Sequence, residues 1–376
     1  MHAIFLLHAT AYCGAIVLLW IAWRQQGRSV ASSAEAVGHA AAVALIVPFR
    51  NELHNLGQMV HQVSTGIPAE WEVIWVDDHS DDGSMGFMEA VLRMHSFGSW
   101  RVIQSEGIGK KRALEAGIRA ARAELIVTTD ADVLFTGNPF ASLVEAFSNK
   151  RVHLAAGPVL AAHGIGVLAA FQQVEWASVQ LITGATFQLG APLMCSGANL
   201  SFRRSTFFEV EGYAGNFQHL SGDDEFLLKK VAARFGRDSV AFVPDQHALV
   251  QIRPFRYWSH FVAQRQRWAS KWRLHGSFGH AFGSVLGFFF PVCFLFSPLL
   301  FATGEAGIWL FGVVWMGKIS FEGAALSAVL MRYGQQSHWS HYLWTSIAHP
   351  VFVAQVAVGA VRGNFTWKGR KSGLFH

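Results

Sequence analysis

The sequence predicts an α/β domain with a mostly parallel, Rossmann-like sheet, joined to α-helical transmembrane segments on both sides. Three observations predict it. Short apolar runs alternate with helical stretches between residues 41 and 250. Carboxylates stand at the carboxyl ends of two of these runs. Apolar stretches long enough to cross a bilayer stand before and after this region.

Composition agrees. Of the 376 residues 52% are hydrophobic and only 15% charged, too few charges for an ordinary soluble enzyme of this size. Fourteen Trp and 31 Phe suit an apolar solvent with an aromatic interface. The net charge of +5 suits an anionic lipid surface or a nucleotide. There is no clustered basic arm, so nucleic acid is not expected as a partner. Cys13, Cys195 and Cys293 lie far apart and imply neither a metal site nor a disulfide framework.

The elements follow in order. Ala3–Trp23 is an apolar run that reads as a membrane helix. A signal peptide would carry its positive charges before the run, whereas Arg24 and Arg28 follow it. The positive-inside rule then puts the N-terminus outside and the next domain in the cytoplasm. Ala41–Val47, Trp71–Asp77 and Glu124–Asp130 read as strands, and Asn51–Val63, Ser84–His95 and Lys110–Arg122 as helices. Ligands of such sheets bind beyond the carboxyl ends of the strands, where Pro48–Glu52, Asp77–Ser84 and Asp130–Asp132 fall. Gly164–Thr186 is long and apolar, but Gln172, Gln173 and Glu175 near its centre argue against a span. It reads as a helix buried in the domain or lining a substrate groove.

Arg253–Arg273 interleaves basic and aromatic residues, as a helix in the headgroup region does. Phe282–Ala302, Ala306–Met331 and Leu343–Val361 follow as apolar segments. Lys318 and Glu322 interrupt the second and His349-Pro350 the third, which suggests helices facing one another or a cavity. Three crossings would place the tail outside, yet Arg362, Lys368, Arg370 and Lys371 belong in the cytoplasm. One of the last segments is therefore expected to be re-entrant, with Pro350 as the break. The expected boundaries are 1–24 for the N-terminal membrane helix, 40–250 for the cytoplasmic catalytic domain, 251–276 for the interfacial helix, 277–363 for the C-terminal membrane helices and 364–376 for a basic tail.

Three acidic clusters, Asp77-Asp78, Asp130-Ala131-Asp132 and Asp223-Asp224-Glu225, precede Gln264-Arg265-Gln266-Arg267-Trp268. Together they suit a membrane enzyme that transfers a sugar. Such a reaction needs the leaving diphosphate neutralised, a proton removed from the acceptor and water kept out. Asp130 and Asp132 at a strand end offer the hard oxygen ligands that Mg²⁺ or Mn²⁺ prefers, although a lone pair of this kind is also common in solvated turns. Asp223-Asp224-Glu225 opens a helical run. Capping and the helix dipole favour acids there, but three in a row exceed that need. Their repulsion is expected to raise at least one pKa towards that of a useful base.

Arg267 can answer charge on the diphosphate, and Trp268 offers a flat face to a sugar or lipid headgroup. Any interfacial helix would hold such residues too. Gly107-Ile108-Gly109-Lys110-Lys111 lacks the full spacing of a phosphate loop; Lys110 is a candidate donor contact, or the glycines simply start a helix. His79 and His219 beside these motifs read as locally satisfied histidines.

Pro48-Phe49-Arg50-Asn51-Glu52, Val76-Asp77-Asp78-His79-Ser80-Asp81-Asp82-Gly83-Ser84, Gly109-Lys110-Lys111-Arg112-Ala113-Leu114, Asp130-Ala131-Asp132, Gly197-Ala198-Asn199, Gly222-Asp223-Asp224 and Gln264…Arg267-Trp268 resemble the membrane-bound family 2 glycosyltransferases. These include cellulose- and hyaluronan-synthase-like enzymes and the ceramide and hopanoid glycosyltransferases. The resemblance covers roughly residues 43–272, and Thr366-Trp367-Lys368-Gly369-Arg370 resembles the tail of the lipid-modifying members. It implies a GT-A fold and inversion at the anomeric carbon.

The resemblance further implies that Pro48 and Glu52 shape the nucleotide pocket, that Asp77 or Asp78 contacts the base and Lys110 the nucleotide, and that Asp132 binds the metal with Asp130 in support. It makes Asp224 the base, and lines donor and acceptor with Gln264, Arg267 and Trp268. The third motif reads Asp-Asp where Glu-Asp or Thr-Glu-Asp is usual, so Asp223 is the alternative base. The expected activity is a metal-dependent transfer from a nucleotide sugar, a UDP-sugar, to a membrane lipid or lipid-linked acceptor at the cytoplasmic face of a bacterial inner membrane. The alternatives are a processive polysaccharide synthase, which the short membrane part disfavours, and an inactive scaffold, which the intact acidic triad disfavours.

Overall fold

The computed structural model describes residues 1–26, 42–95, 97–219, 221–270, 287–362, 366–367 and 370–371, the last four by backbone alone. Arg28, the end of the predicted interfacial segment from Lys271 to Arg273, the start of the next at Phe282 and the side chains of the tail lie outside the described residues.

The first element is α1 (His2–Arg24). Then come β1 (Val43–Phe49), α2 (Leu53–Gly66), β2 (Glu72–Asp77), α3 (Ser84–Met94), β3 (Trp100–Gln104), α4 (Lys110–Ala120), β4 (Leu125–Thr128), β5 (Val133–Leu134) and α5 (Ala141–Glu145). Next are β6 (Leu154–Ala156), β7 (Val159–Ala161), α6 (Val167–Gln188), β8 (Leu200–Arg203), α7 (Arg204–Glu209), α8 (Asp223–Phe235), β9 (Val240–Phe242), β10 (Val250–Ile252) and α9 (Trp258–Ala269). The last helices are α10 (Gly287–Thr303), α11 (Glu305–Arg332) and α12 (Trp339–Arg362). Thr366–Trp367 and Arg370–Lys371 pair as the short antiparallel strands β11 and β12.

The chain forms two compact units. One, the sheet unit, holds residues 25–162, 186–253 and 366–376; the other, the helical unit, holds 1–24, 163–185 and 254–365. The sequence-based boundary of 40–250 thus runs across most of α6, which belongs to the helical unit up to Ala185.

The main sheet has seven strands in the order β3-β2-β1-β4-β8-β6-β9. β8 runs antiparallel to both β4 and β6, and the other pairings are parallel. The strand β1 sits between β2 and β4, and all seven of its residues are buried. A parallel strand covered on both faces needs such a continuous apolar run. Pro48 is tolerated there because the β4 ladder has already ended at Ile46. α4 lies so close on the sheet that a Cβ at Gly117 would come within 2.6 Å of Ile46 Cγ2 and 3.0 Å of Val76 Cγ2. The core formed there joins Ile46, Val76, Leu114, Ile126, Phe202 and Leu227, each worth roughly 1.5–3 kcal/mol of burial. β5, β10 and β7 make a second, three-stranded sheet.

In the helical unit α1 packs on α11, and α12 packs on α9 and α11. α1, α11 and α12 are long and apolar enough to cross a membrane, and α10 is shorter. From Phe294 to Thr303 α10 tightens into a 3₁₀ helix that contains Pro298. Pro350 does not break the chain, contrary to the sequence-based expectation: α12 runs through it from Trp339 to Arg362. Lys318 supplies the reason. Its Nζ donates to the carbonyl of Ser346 at 2.8 Å, the oxygen that a residue other than proline at 350 would have bonded. Lys318 also donates to both oxygens of Glu322 at 2.7 and 2.8 Å, and Glu322 accepts the hydroxyls of Tyr12 and Ser346. One fully bonded polar cluster therefore ties α1, α11 and α12 together.

α6 is not among the helices apolar enough to cross. Gln172 exchanges hydrogen bonds with the backbone of Phe255 at 2.8 and 2.9 Å, and Gln173 donates to Gln335 at 3.0 Å. The polar residues that argued against a span are buried and satisfied inside the helical unit.

Candidate active site

The carboxyl edge of β1, β2 and β4 gathers the acidic motifs. After β1, Arg50 donates to the carbonyls of Asp78, at 2.8 Å, and His79. Asn51 adopts a left-handed φ of 51° and clasps Asp81 through both side-chain atoms. Glu52 is 3% exposed and accepts from Asn55 Nδ2 at 2.6 Å, while Arg253, just beyond β10, donates to Asn55 and Gln58. The motif following Pro48 is therefore held from both sides.

Asp77 and Asp78 are also buried. The carboxylate of Asp77 accepts from the Ser80 N–H at 3.1 Å, and Asp78 Oδ1 accepts from the Gly109 N–H at 2.7 Å. Asp78 thus moors the Gly107–Gly109 loop, whose last glycine has a φ of 109°. His79 has a φ of 56°, and its buried Nε2 has no hydrogen-bond partner among the described residues. It is not the satisfied histidine that the sequence suggested.

Lys110, the first residue of α4, joins two motifs more than ninety positions apart. Its Nζ lies 2.6 Å from Asp130 Oδ1 and 3.2 Å from Asp223 Oδ2. Asp224 Oδ2 accepts from the Gly197 N–H at 3.0 Å. Gly197 is in turn fixed to β4, because Thr128 Oγ1 donates to its carbonyl at 2.9 Å and Thr129 does the same to Ala198. A Cβ on Gly197 would approach Asp223 Oδ2 to 2.8 Å, so glycine is what lets this backbone reach the carboxylates. The second lysine has a different task. Lys111 is 5% exposed and donates to the carbonyls of Asn216, His219 and Ser221 at 2.7, 2.8 and 3.0 Å. It closes the loop that delivers α8. Asn199, fully buried, bonds the carbonyls of Pro158 and Ala248.

The acids differ accordingly. Burial works against the ionised form of Asp223, but Lys110 and Lys111 outweigh it and hold its carboxyl below the usual range. Burial raises the pKa of Asp130, with the charges of Asp132 and Asp223 adding to it and Lys110 opposing. Burial disfavours the Lys110 ammonium, yet Asp130 and Asp223 keep its pKa well above the ordinary lysine value. Repulsion within Asp223-Asp224-Glu225 was expected to raise a pKa there, but Asp223 moves down because the lysines prevail; the raised carboxyl, Asp130, lies outside that cluster and is raised first by burial. Burial, then Asp223 and Asp224, push the nearby Tyr213 up. Asp224 is partly exposed and Asp132 exposed at the mouth of the edge.

Asp130 and Asp132 present hard oxygen donors, the right chemistry for Mg²⁺ or Mn²⁺. Among the described residues no three His, Cys, Asp or Glu side chains gather as a preformed metal site. The pair fits a cation that takes its other ligands from a diphosphate.

Gln264, Arg267 and Trp268 lie on α9 in the helical unit. The sequence placed Arg265 among surface basic residues, but it is 6% exposed. It pairs with Glu175 through Nε at 2.8 Å and Nη2 at 2.5 Å, and donates to Gln264 Oε1 at 2.6 Å. Its guanidinium lies 4.3 Å from the Trp268 ring centre and 4.7 Å from that of Trp176. One face of α9 is therefore buried within the unit rather than laid wholly on lipid, and Gln264 and Trp268 are aimed by a residue between them.

Comparisons with known proteins agree with this architecture. Residues 44–210 match the family model described as Glycosyl transferase family 2. The chain is 29% identical over 118 residues, 31% of its length, to dodecaprenyl-phosphate galacturonate synthase of Rhizobium johnstonii. It is 26% identical over 202 residues, 50% of its length, to an N-acetylglucosaminyltransferase of Neorhizobium galegae. It is 28% identical over 107 residues, 28% of its length, to undecaprenyl-phosphate 4-deoxy-4-formamido-L-arabinose transferase of Aeromonas hydrophila. The matches span 35%, 45% and 33% of those curated relatives. Among solved structures, the mannosyltransferase PcManGT of Pyrobaculum calidifontis, in complex with GDP-Man and Mn²⁺, has a TM-score of 0.59 at 19% identity, covering 96% of this chain and 98% of that one. That likeness establishes the fold. With the sheet, the edge carboxylates and the family match in hand, residues 44–210 carry a match to the family 2 glycosyltransferases, within a fold of the GT-A type.

Proposed function

We propose that this transferase moves a sugar, with inversion, from a nucleotide-sugar donor to a membrane lipid or lipid-linked acceptor. The donor is a UDP-sugar, and the reaction uses Mg²⁺ or Mn²⁺ on Asp132 and Asp130. The observation that carries the reading is the convergence of Lys110, Asp130, Asp223, Gly197 and Asp224. The names of the polyprenyl-phosphate relatives and the three helices apolar enough to cross a membrane favour a lipid acceptor.

Each residue has a distinct part. Pro48, Glu52, Asp77 and Asp78 form the wall that takes the nucleotide, with Asp78 also holding the glycine loop against it. Lys110 offers its ammonium to the donor phosphates. Asp224 is the base that takes the acceptor proton, since it is partly exposed while Asp223 is buried against Lys110. Asp132 and Asp130 would hold a divalent cation, which would supply positive charge to offset that developing on the leaving diphosphate. On α9, Arg267 serves the diphosphate, and Gln264 and Trp268 serve the acceptor. The catalytic domain faces the cytoplasm of a bacterial inner membrane, with the N-terminus outside.

The test is incubation of the full chain in nanodiscs with lipid extract and a panel of labelled nucleotide sugars, with and without chelator, followed by thin-layer separation. A single labelled lipid that disappears with chelator is expected. A ladder of products would instead favour a processive synthase. No labelled lipid with any donor would refute the proposed acceptor class.

A further inference from the structure

Lys110 occupies the carboxylate that a catalytic cation would use. Its Nζ is 2.6 Å from Asp130 Oδ1, closer than the 3.2 Å to Asp223. A divalent ion approaching the Asp130–Asp132 pair therefore meets a like charge already seated on one of its two ligands. The lysine is not locked in place. Its side chain is 22% exposed and that of Asp130 33%, so the ammonium can move on its flexible four-carbon stem. Its backbone stays put, since the preceding Gly109 N–H is moored on Asp78 at 2.7 Å. Asp223, with its side chain 9% exposed, remains as the fixed end of the bridge. A diphosphate is the one expected guest able to attract the ammonium and the metal together.

We propose, building on the donor and metal assigned above, that Lys110 makes cation binding conditional on the donor. In the free enzyme its ammonium neutralises Asp130. When a nucleoside diphosphate arrives, the ammonium turns to the phosphates and Asp130 becomes available to the cation. Lys110 is then more than a donor contact: it sets the order in which donor and metal are held. The paired carboxylates act as a metal site only in company.

The experiment measures free Mn²⁺ by electron paramagnetic resonance against the full chain in nanodiscs, first without nucleotide and then with UDP, with GDP as a second arm. The wild type is expected to bind Mn²⁺ weakly alone and at least about tenfold more tightly with nucleotide. Lys110→Gln is expected to tighten nucleotide-free Mn²⁺ binding by about tenfold and to reduce the gain from nucleotide. Lys110→Arg keeps the charge and should stay weak, and adding Asp132→Asn to Lys110→Gln should erase what was gained. Nucleotide-free affinity in Lys110→Gln equal to or below that of the wild type overturns the proposal. If that variant does not fold, coupling between nucleotide and Mn²⁺ below about twofold in the wild type overturns it instead. Absence of any nucleotide binding by the wild type would refute the proposed donor rather than the lysine's role alone.

Discussion

Lys318 donates a 2.8 Å hydrogen bond to the carbonyl of Ser346, the acceptor that Pro350 leaves without its helical partner. The same ammonium is paired with Glu322, and both residues are buried. Removing one partner of such a pair leaves an uncompensated charge. Lys318→Met or Glu322→Gln should therefore cost about 3–5 kcal/mol, and the Lys318→Met/Glu322→Met double variant less than either. Pro350→Ala should be well tolerated and should soften the loss in Lys318→Met by about 1 kcal/mol, because the new N–H serves Ser346. Unfolding in detergent measures this cycle. Strict additivity would show that Lys318 does not serve that carbonyl.

Asp224→Asn should keep donor binding and lose transfer by ~10²–10⁴-fold, the usual contribution of a general base. The amide can still accept from the Gly197 N–H, so the loop should hold. Calorimetry and lipid product formation read the two properties separately. If Asp223→Asn is the dead variant and Asp224→Asn works, the assignment within the pair is reversed.

The Lys110–Asp223 bridge should show in the pH dependence of stability. The folded pKa of Asp223 is lowered, against the burial that would raise it, by Lys110 and Lys111. Its contribution is therefore complete above the unfolded value of about 3.9 and disappears as pH falls through the lower folded one. Lys110 is shifted up, so its share is complete below about 10.4 and fades only as pH rises through its folded value. The deficit in melting temperature of Asp223→Asn should be flat from about pH 5 to 9 and shrink below about pH 4. A deficit that persists unchanged in acid would mean that the bridge contributes nothing through charge.

Glu175→Gln should destabilise the protein by about 3–5 kcal/mol, since it strands the buried Arg265. It should also raise the KM for the lipid acceptor more than that for the nucleotide sugar, because Arg265 sets Gln264 and Trp268. Glu175→Asp should recover part of both. Unchanged acceptor KM at full folding would leave Glu175 with a packing role alone.

Much of the carboxylate-bearing edge was legible because local rules write it. An apolar run long enough for a strand, with Asp77 as its last residue or Asp130 two residues past its end, places a carboxylate at the strand's carboxyl end whatever surrounds it. The glutamine and glutamate in α6 and the charged pair in α11 likewise betrayed buried polar contacts, since an apolar helix can keep them only with partners. The partners themselves were a matter for tertiary structure. β8 is a four-residue antiparallel strand inserted between two parallel neighbours, too short to announce its direction. Neighbouring Lys110 and Lys111 have equal propensities, yet one faces the carboxylates and the other the carbonyls before α8. Arg265 looks like its basic neighbours until Glu175, ninety positions away, is packed beside it. Periodicity reports which face of an element is apolar; which charge meets which is decided only when elements distant in the chain dock and low dielectric makes an unpaired charge too costly to keep.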